Sequence, residues 1–203
     1  MTQSDAFLSG EGDAWYARNK DKLGQRDPVC DLLNLLPLIR PKRVFEVGCA
    51  NGWRLKKLRD KYKCRVSGME PSYDAYVQAM ADGLEDVSWG AFPRNDPWLG
   101  GTFDMIIFGF CLYVASPSDW FKIVTEADRL LADKGHLIIH DFPVEDVPFA
   151  RKYEHKAGLL SYHVDFAKLW LAHPWYTAYD ESTGPDGKVT ILQKDVNALQ
   201  VHP

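Results

Sequence analysis

The sequence lacks the features that mark membrane, secreted and zinc-binding proteins. Its apolar runs are much shorter than the roughly 20 residues that a helix needs to span a bilayer, and its polar N-terminus has no basic-then-apolar signal segment. The chain has 4 cysteines and no C-x-x-C pair, so we expect no metal site and cysteines that are small core residues. We therefore expect a cytoplasmic protein that does not bind a membrane.

An excess of positive charge is also absent. The 24 Lys and Arg residues stand against 28 Asp and Glu residues, for a formal net charge of -4. No long basic tract is present to neutralise the phosphates of a nucleic acid. We interpret the short basic stretch at residues 54–59 as the solvated face of an amphipathic helix. We expect no nucleic-acid partner, and either a monomer or a homodimer.

The chain does contain a glycine loop directly after a short apolar strand, where residues 44–54 read VFEVGCANGWR. Gly48 permits a tight turn, and Gly52 lets the start of the next helix pack closely. The free N–H groups of a helix N-terminus suit a polar or anionic ligand. The spacing is not the dinucleotide G-x-G-x-x-G pattern, because position 50 is alanine and an acid, Glu46, precedes the first glycine. The loop therefore predicts a nucleotide-type site at the end of a first parallel strand.

A second acid ends the next predicted strand. Glu70 follows the run at residues 64–69 and stands eighteen residues after Gly52. A carboxylate at this position can accept two hydrogen bonds from a ribose diol. Pro71 then begins the entry to the next helix.

These two acids and the glycine loop resemble the first motifs of class I S-adenosylmethionine-dependent methyltransferases. Two further blocks agree with that family. Phe103-Asp104 begins an apolar run like the family's fourth strand, and residues 130–141 resemble its helix end, a glycine turn at Gly135 with a left-handed cap, and a fifth strand. The resemblance covers roughly residues 40–142.

The resemblance and the order of the elements imply a single Rossmann-like α/β domain over residues 1–203. Strands at 43–47, 65–69, 86–90, 103–109 and 135–141 alternate with helices at 52–62, 72–82 and 117–132, which predicts a mostly parallel sheet with helices on both faces. Residues 175–181 and 188–194 predict a terminal hairpin. The fold class is therefore a seven-stranded sheet with an antiparallel last strand. Residues 1–40 predict an N-terminal helical cap, and residues 143–172, with a helix at 161–172, a lid-like insertion before the hairpin.

The resemblance also implies which residues bind S-adenosylmethionine. They are Glu46, Gly48, Cys49, Ala50, Gly52, Glu70, Pro71, Phe92 and Phe108. Many relatives carry an acid for the adenine amine after the third strand. Ala91 and Phe92 begin the loop 91–101 here, so the side-chain partner of adenine stays open. Residues 15–19 further resemble the opening of small bacterial methyltransferases of surface-sugar pathways such as those of pseudaminic acid, which implies that Arg18 pairs with the methionine carboxylate.

Methyl transfer from a sulfonium depends mainly on alignment and on exclusion of water. A general base is needed only when the acceptor is a hydroxyl or a protonated amine. His140, at the end of the fifth strand, and His163, in the insertion, are the candidate bases because histidine titrates near neutral pH. Tyr16, Tyr113, His155 and Tyr162 are the candidate acceptor contacts.

The first functional hypothesis is a methyltransferase for a small polar metabolite, with a sugar or a sugar-linked acid as candidates. A non-catalytic cofactor-binding subunit that supports a partner enzyme is the alternative. A nucleic-acid methyltransferase is less well supported, because residues 108–113 do not read as the acid-or-Asn, two prolines and aromatic of the amino-methylating enzymes. The acceptor atom stays open.

Overall fold

A seven-stranded β-sheet forms the centre of the protein in the computed structural model, which describes residues 2–94, 102–144 and 147–199. The strands are β1 Arg43–Val47, β2 Arg65–Glu70, β3 Val87–Trp89, β4 Phe103–Gly109, β5 Leu131–Asp141, β6 Phe149–Lys152, β7 Leu160–His163, β8 Tyr176–Gly184 and β9 Gly187–Lys194. The sheet order is β3-β2-β1-β4-β5-β9-β8, while β6 and β7 form a separate antiparallel ribbon. β1 to β5 pair in parallel and β9 pairs antiparallel with both β5 and β8, which confirms the predicted fold class.

The sheet separates two apolar cores because its central strands are buried on both faces. Ile106 and Phe108 of β4 belong to one core, and Met105 and Ile107 of the same strand belong to the other. The core that contains Phe108 lies beneath the helix that follows β4. This two-sided burial explains why β4 reads as a continuous apolar run.

Seven α-helices flank the sheet: α1 Gln3–Ala6, α2 Gly12–Asn19, α3 Pro28–Leu35, α4 Trp53–Tyr62, α5 Tyr73–Ala81, α6 Trp120–Leu130 and α7 Ala167–Leu171. A wider π-helical turn, Phe7–Glu11, joins α1 to α2. Asp27 caps α3 by accepting a hydrogen bond from the Cys30 N–H, and Pro28 occupies the first helical position. Across the described ranges, no helix is long and apolar enough to cross a membrane.

Three local predictions need correction. The helix expected at 161–172 begins only at Ala167, because residues 160–163 form β7. Ser161 and His163 are buried there while their neighbours are more exposed, which is the two-residue period of a strand.

The left-handed residue of this segment is Lys134, with φ 60°, rather than Gly135, and it lies inside β5 before the regular ladder. β5 also begins earlier than predicted, since Leu131 pairs with Phe103 before a register shift and the regular ladder starts at His136. Of the predicted loop 91–101, residues 95–101 lie outside the described part of the chain.

Candidate active site

A cleft opens at the carboxyl ends of β1, β2 and β4, the edge where open α/β sheets bind ligands. The empty space in it is about 810 Å³, a figure that includes open solvent at its mouth. Gly48, Glu70, Pro71, Phe92, Phe108 and Tyr113 are the predicted site residues that line it. These six residues come from four separate segments, and five of them are among the ten predicted cofactor residues. Glu46, Cys49, Ala50, Gly52 and Arg18 do not line the cleft.

The glycine loop after β1 has the tight geometry that its sequence predicts. Gly48 has φ 70°, and a β-carbon there would lie 2.9 Å from the Cys111 Cβ. Gly52 has φ 67°, and a β-carbon there would overlap Leu84 Cδ1. Cys49 is buried beneath the loop, and this burial raises the pKa of its thiol well above the ordinary value. The loop therefore exposes backbone, not side chains, to the cleft.

Glu70 holds the glycine loop in place from the end of β2. Its Oε2 accepts a hydrogen bond from the Ala50 N–H at 2.7 Å, and its Oε1 accepts one from the Ser72 N–H at 2.8 Å. Each carboxylate oxygen keeps a second lone pair, which a ribose hydroxyl can use. Burial raises the pKa of Glu70 to about 7. The carboxylate is therefore positioned to accept a hydrogen bond from a neutral hydroxyl group.

Glu46 does not line the cleft. Its Oε1 is bound by the guanidinium of Arg54, whose Nε donates to Asp27 Oδ1 at 3.0 Å. Arg54 is 5% exposed, which corrects its assignment to the solvated face of α4. The guanidinium reaches beneath the end of β4, where a β-carbon on Gly109 would lie 2.5 Å from Arg54 Nη1. This buried ion pair network ties α4 and the cap of α3 to the floor of the site.

Two carboxylates share this one guanidinium. Glu46 Oε2 and Asp27 Oδ2 are buried and accept no hydrogen bond. Burial raises the pKa of Glu46 despite the nearby Arg54. The cost of burying unpaired charge is the physical cause of this shift in Glu46.

Phe92 and Phe108 form the apolar end of the cleft beside β3. Their ring centroids lie 5.9 Å apart with a near-perpendicular arrangement. Phe92 also packs on Phe45 in the core. The position thus offers ring faces in place of the acid that many relatives carry.

The N-terminal helices cover the cleft. Ser4, Phe7, Gly12 and Trp15 line it from this side. α2 approaches the start of α5 so closely that a β-carbon on Gly12 would lie 2.9 Å from the Ser72 nitrogen.

Asp13 fastens α2 to α5. Its Oδ1 accepts hydrogen bonds from Ser72 Oγ at 2.7 Å and from the Asp74 N–H at 3.0 Å. It therefore satisfies a free N–H of α5 from another helix.

The same N-terminal segment is tied to the β6–β7 ribbon. Gln3 donates from Nε2 to the Val114 carbonyl, and its Oε1 accepts the Leu160 N–H at 2.7 Å. Glu11 Oε1 accepts hydrogen bonds from Arg18 at 2.6 Å and from the Tyr153 hydroxyl at 3.1 Å. Arg18 is therefore paired with Glu11 and does not line the cleft, so its role with a methionine carboxylate stays a prediction.

The two candidate bases lie away from the cleft. His140 is 4% exposed, and its Nε2 lies 2.8 Å from the Asp186 carbonyl oxygen, which makes this nitrogen the donor. Burial lowers the pKa of His140 to about 4, while its Nδ1 has no partner.

His163 stacks between the rings of Phe142 and Phe149, and its Nε2 lies 3.0 Å from Ser161 Oγ. Burial, with Arg151 nearby, lowers the pKa of His163. Both imidazoles are thus held neutral by packing.

Tyr113 alone among the four predicted acceptor contacts lines the cleft. Its N–H donates to Asp141 Oδ2 at 3.1 Å, and burial raises the pKa of that aspartate to about 7. Tyr16 is buried beside Asn51, Tyr162 packs edge-on against Trp120, and His155 is exposed next to Tyr153. These three stay predictions that the observed contacts do not support.

Sequence reasoning missed Phe7, Trp15 and Phe110 as lining residues. Trp15 lies in the short helix α2, and the helical period alone does not say which side of such a helix faces a site. Phe110 carries one local signal, a position directly after β4, where site residues gather in α/β folds.

A family model described as a methyltransferase domain matches residues 22–180. No curated protein sequence matches the chain. Among solved structures, the Burkholderia thailandensis 1,6-didemethyltoxoflavin-N1-methyltransferase, with bound 1,6-didemethyltoxoflavin and S-adenosylhomocysteine, is similar with a TM-score of 0.70 and 19% identity. The match covers 94% of this chain and 88% of that one.

Two further structures are similar at lower identity. CalS10 from Micromonospora echinaspora, an amino pentose methyltransferase with bound S-adenosylmethionine, has a TM-score of 0.63 and 15% identity over 89% of this chain and 96% of that chain. DesVI from Streptomyces venezuelae has a TM-score of 0.62 and 12% identity over 93% and 98% of the two chains. At these identities the structures agree in fold, and the family model spans most of the sequence. The chain therefore belongs to the methyltransferase-domain family and is an enzyme of the methyltransferase class.

Proposed function

We propose that this protein transfers the methyl group of S-adenosylmethionine to a small-molecule acceptor bound in the cleft beneath the N-terminal helices. The observation that carries the proposal is the buried Glu70 carboxylate, which lines the cleft beside a glycine loop that exposes its backbone. A buried acid with free lone pairs suits a ribose diol, and the space beyond it suits a molecule of nucleoside size. The residues present therefore fit the cofactor.

Each part of the cofactor has a matching group in the chain. We assign the ribose to Glu70, the methionine part to the backbone around Gly48 and Ala50, and the adenine to Pro71 and Phe92. Stacking on the Phe92 ring replaces the acid that many relatives use. The assignment of Arg18 to the methionine carboxylate requires that it first leave Glu11.

When bound, the cofactor would supply a methyl group on a positively charged sulfur. An acceptor lone pair would form the new bond to the methyl carbon while the sulfur–methyl bond breaks, and the sulfur would remain as a neutral thioether. The protein's contribution is alignment and exclusion of water. The N-terminal segment and the β6–β7 ribbon are bonded to each other through Gln3 and Glu11. We propose that residues 1–40 and 143–172 act as the cap and lid of one domain.

A general base is required only for a hydroxyl or a protonated amine acceptor, whose proton must leave as the new bond forms. His140 and His163 remain the candidates, and each would have to leave its present packing to reach the cleft. Loss of a true base lowers turnover about 10²–10⁴-fold. Near wild-type turnover in His140→Gln, His163→Gln and the double variant would show that positioning alone is sufficient.

Among small molecules, a sugar or a sugar-linked acid is a candidate for the acceptor. The opening residues 15–19 resemble those of surface-sugar methyltransferases, and CalS10 is described as an amino pentose methyltransferase. Turnover on a panel of metabolites also separates an enzyme from a non-catalytic cofactor-binding subunit.

Calorimetry with S-adenosylhomocysteine tests the cofactor site. Glu70→Ala should weaken binding by about 1.5–3 kcal/mol, the usual loss for hydrogen bonds to a charged group. Glu85→Ala, at an exposed acid outside the cleft, is the matched control and should bind like the wild type. Wild-type affinity in Glu70→Ala would remove this residue from the site.

A further inference from the structure

The cleft is lined by aromatic rings and by almost no charge. Its aromatic lining residues are Phe7, Trp15, Phe92, Phe108, Phe110 and Tyr113. Glu70 supplies the one carboxylate among the lining residues that the structure describes, and none of those residues is a lysine, an arginine or a histidine. Once Glu70 binds the cofactor, an acceptor in this cleft meets ring faces and backbone.

Two of the rings form a wall directly after β4. The centroids of Phe110 and Tyr113 lie 6.4 Å apart, and each ring packs edge-on against Phe142, at 5.1 and 5.2 Å. Phe110 has φ 50°, a left-handed conformation that a bulky side chain rarely adopts. Its N–H donates to the His140 carbonyl at 2.7 Å, which holds this conformation in place. Strained residues of this kind concentrate at functional sites.

The N-terminal cap supplies two further rings. Phe7 and Trp15 line the cleft from the N-terminal helices, and the Trp15 side chain lies close to the Tyr113 hydroxyl. Burial raises the pKa of Tyr113, so its hydroxyl stays neutral. The rings of the wall and of the cap therefore approach each other at Tyr113, and Ser4 adds the only other hydroxyl among the described lining residues.

We infer that the acceptor is an uncharged aromatic compound held between the cap rings of Phe7 and Trp15 and the wall rings of Phe110 and Tyr113. The inference rests on the proposed function, since it names the substrate class of the same cleft. Ring faces bind another ring through offset or edge-on contacts. A carboxylate or an ammonium buried here would find no opposite charge beyond Glu70, and an unpaired buried charge is costly.

Calorimetry with three probes tests this substrate class. S-adenosylhomocysteine is titrated first, and 2-naphthol, 2-naphthoate or methyl α-glucoside is then titrated into the complex. We expect 2-naphthol to bind at least about tenfold more tightly than the other two, the scale of one aromatic contact. Equal or tighter binding of the naphthoate or of the glucoside, or no binding of 2-naphthol, overturns the inference. Failure of S-adenosylhomocysteine to bind in the first step contradicts the proposed function itself.

Ring-removing variants locate the probe. Phe110→Gly deletes the ring and suits the left-handed backbone, so we expect the fold and the S-adenosylhomocysteine affinity to be kept within about twofold, and the 2-naphthol affinity to fall about tenfold. Tyr113→Leu is the second variant, should Phe110→Gly fail to fold. Phe121→Ala removes a ring that is 72% exposed on α6 and is the matched control. Unchanged 2-naphthol affinity in a folded ring-removing variant shows that the wall does not bind the acceptor.

Discussion

Ala50 is the strained residue of the cofactor loop. Its φ of 49° is left-handed, a conformation that costs an L-residue about 1–2 kcal/mol. A glycine at this position would avoid that cost. The left-handed conformation of Ala50 accompanies the hydrogen bond that its N–H donates to Glu70, so the strain is local to the glycine loop.

Ala50→Gly should raise the free energy of unfolding by about 0.5–1 kcal/mol, because glycine relieves the left-handed strain but is more flexible when unfolded. The matched control is Ala17→Gly on the exposed side of α2, which should lower it by about 1 kcal/mol. Chemical denaturation of both variants measures the difference. A loss in Ala50→Gly as large as in Ala17→Gly would contradict the strain argument.

The proposed role of Glu70 predicts that cofactor binding depends on pH. Its pKa is raised to about 7 in the free protein, and ribose hydroxyls donate more strongly to the ionised carboxylate than to the neutral acid. Binding therefore weakens as pH falls through 7, and the dissociation constant for S-adenosylhomocysteine should be about tenfold larger at pH 6 than at pH 8. Calorimetry across this range measures it. Glu70→Gln should bind weakly with little dependence on pH, and an equal dependence in that variant would assign the effect to another group.

At the scale of elements, the N-terminal segment is a cap that depends on a few polar contacts. Asp13 joins α2 to α5, and Gln3 and Glu11 join the same segment to the β6–β7 ribbon. Such contacts can open without unfolding the sheet, which a buried cofactor site requires for entry and release.

Asp13→Ala removes two hydrogen bonds from the junction of α2 and α5. We expect faster amide hydrogen exchange over residues 2–19 and a stability loss of about 1–2 kcal/mol, while β1 and β4 keep their protection. Asp21→Ala, at an exposed acid in the turn after α2, is the control. Unchanged exchange in residues 2–19 would show that Asp13 does not fasten the cap.

The lid proposal makes a second prediction for these elements. Saturating S-adenosylhomocysteine should slow amide exchange in residues 2–19 and 149–163, because the cofactor contacts the cap and the cap is bonded to the ribbon. α7 and the β8–β9 hairpin provide internal reference segments. Identical exchange with and without the ligand in both regions would remove the support for a lid.

At the scale of the whole molecule, buried ionisable groups shape the pH dependence of stability. Burial raises the pKa of Glu70 and Asp141 to about 7, so the folded state binds their protons more tightly and their contribution to stability falls as pH rises toward 7. His140 acts in the opposite sense. Its pKa falls to about 4, so the unfolded state binds the proton at mildly acidic pH and stability rises with pH.

His140→Gln isolates the histidine contribution, because glutamine can still donate to the Asp186 carbonyl. The stability advantage of the wild type over this variant should grow by about 2–3 kcal/mol between pH 4.5 and 7 and then level off. Both proteins contain Glu70 and Asp141, so the contributions of these two groups to stability cancel in the difference. Denaturation at several pH values measures the difference, with His155→Gln as the matched control for replacing a histidine. A constant difference across the range would mean that His140 is not held neutral by burial.

The sequence predicts the sheet and part of the cleft lining, because both depend on local patterns. β1 and β4 lie at the predicted residues 43–47 and 103–109, because a strand that is buried on both faces appears in the sequence as a continuous apolar run. Gly48 and Glu70 line the cleft because the ends of adjacent parallel strands must meet at one edge of the sheet.

The burial and the partners of a side chain depend on segments that are distant in the sequence, so only the tertiary structure decides them. The buried partners of Arg54 come from β1 and from the cap of α3, so a basic helix position that reads as solvated carries an internal ion pair. His140 and His163 are drawn into packing by the hairpin turn and by the β6–β7 ribbon, while Trp15 is brought to the cleft by the docking of α2 on α5. The sequence alone determines which strands are buried on both faces and where the glycine loop lies, because periodicity and spacing act within one segment. Which side chains face the cleft is decided only by packing between segments, and periodicity does not encode it.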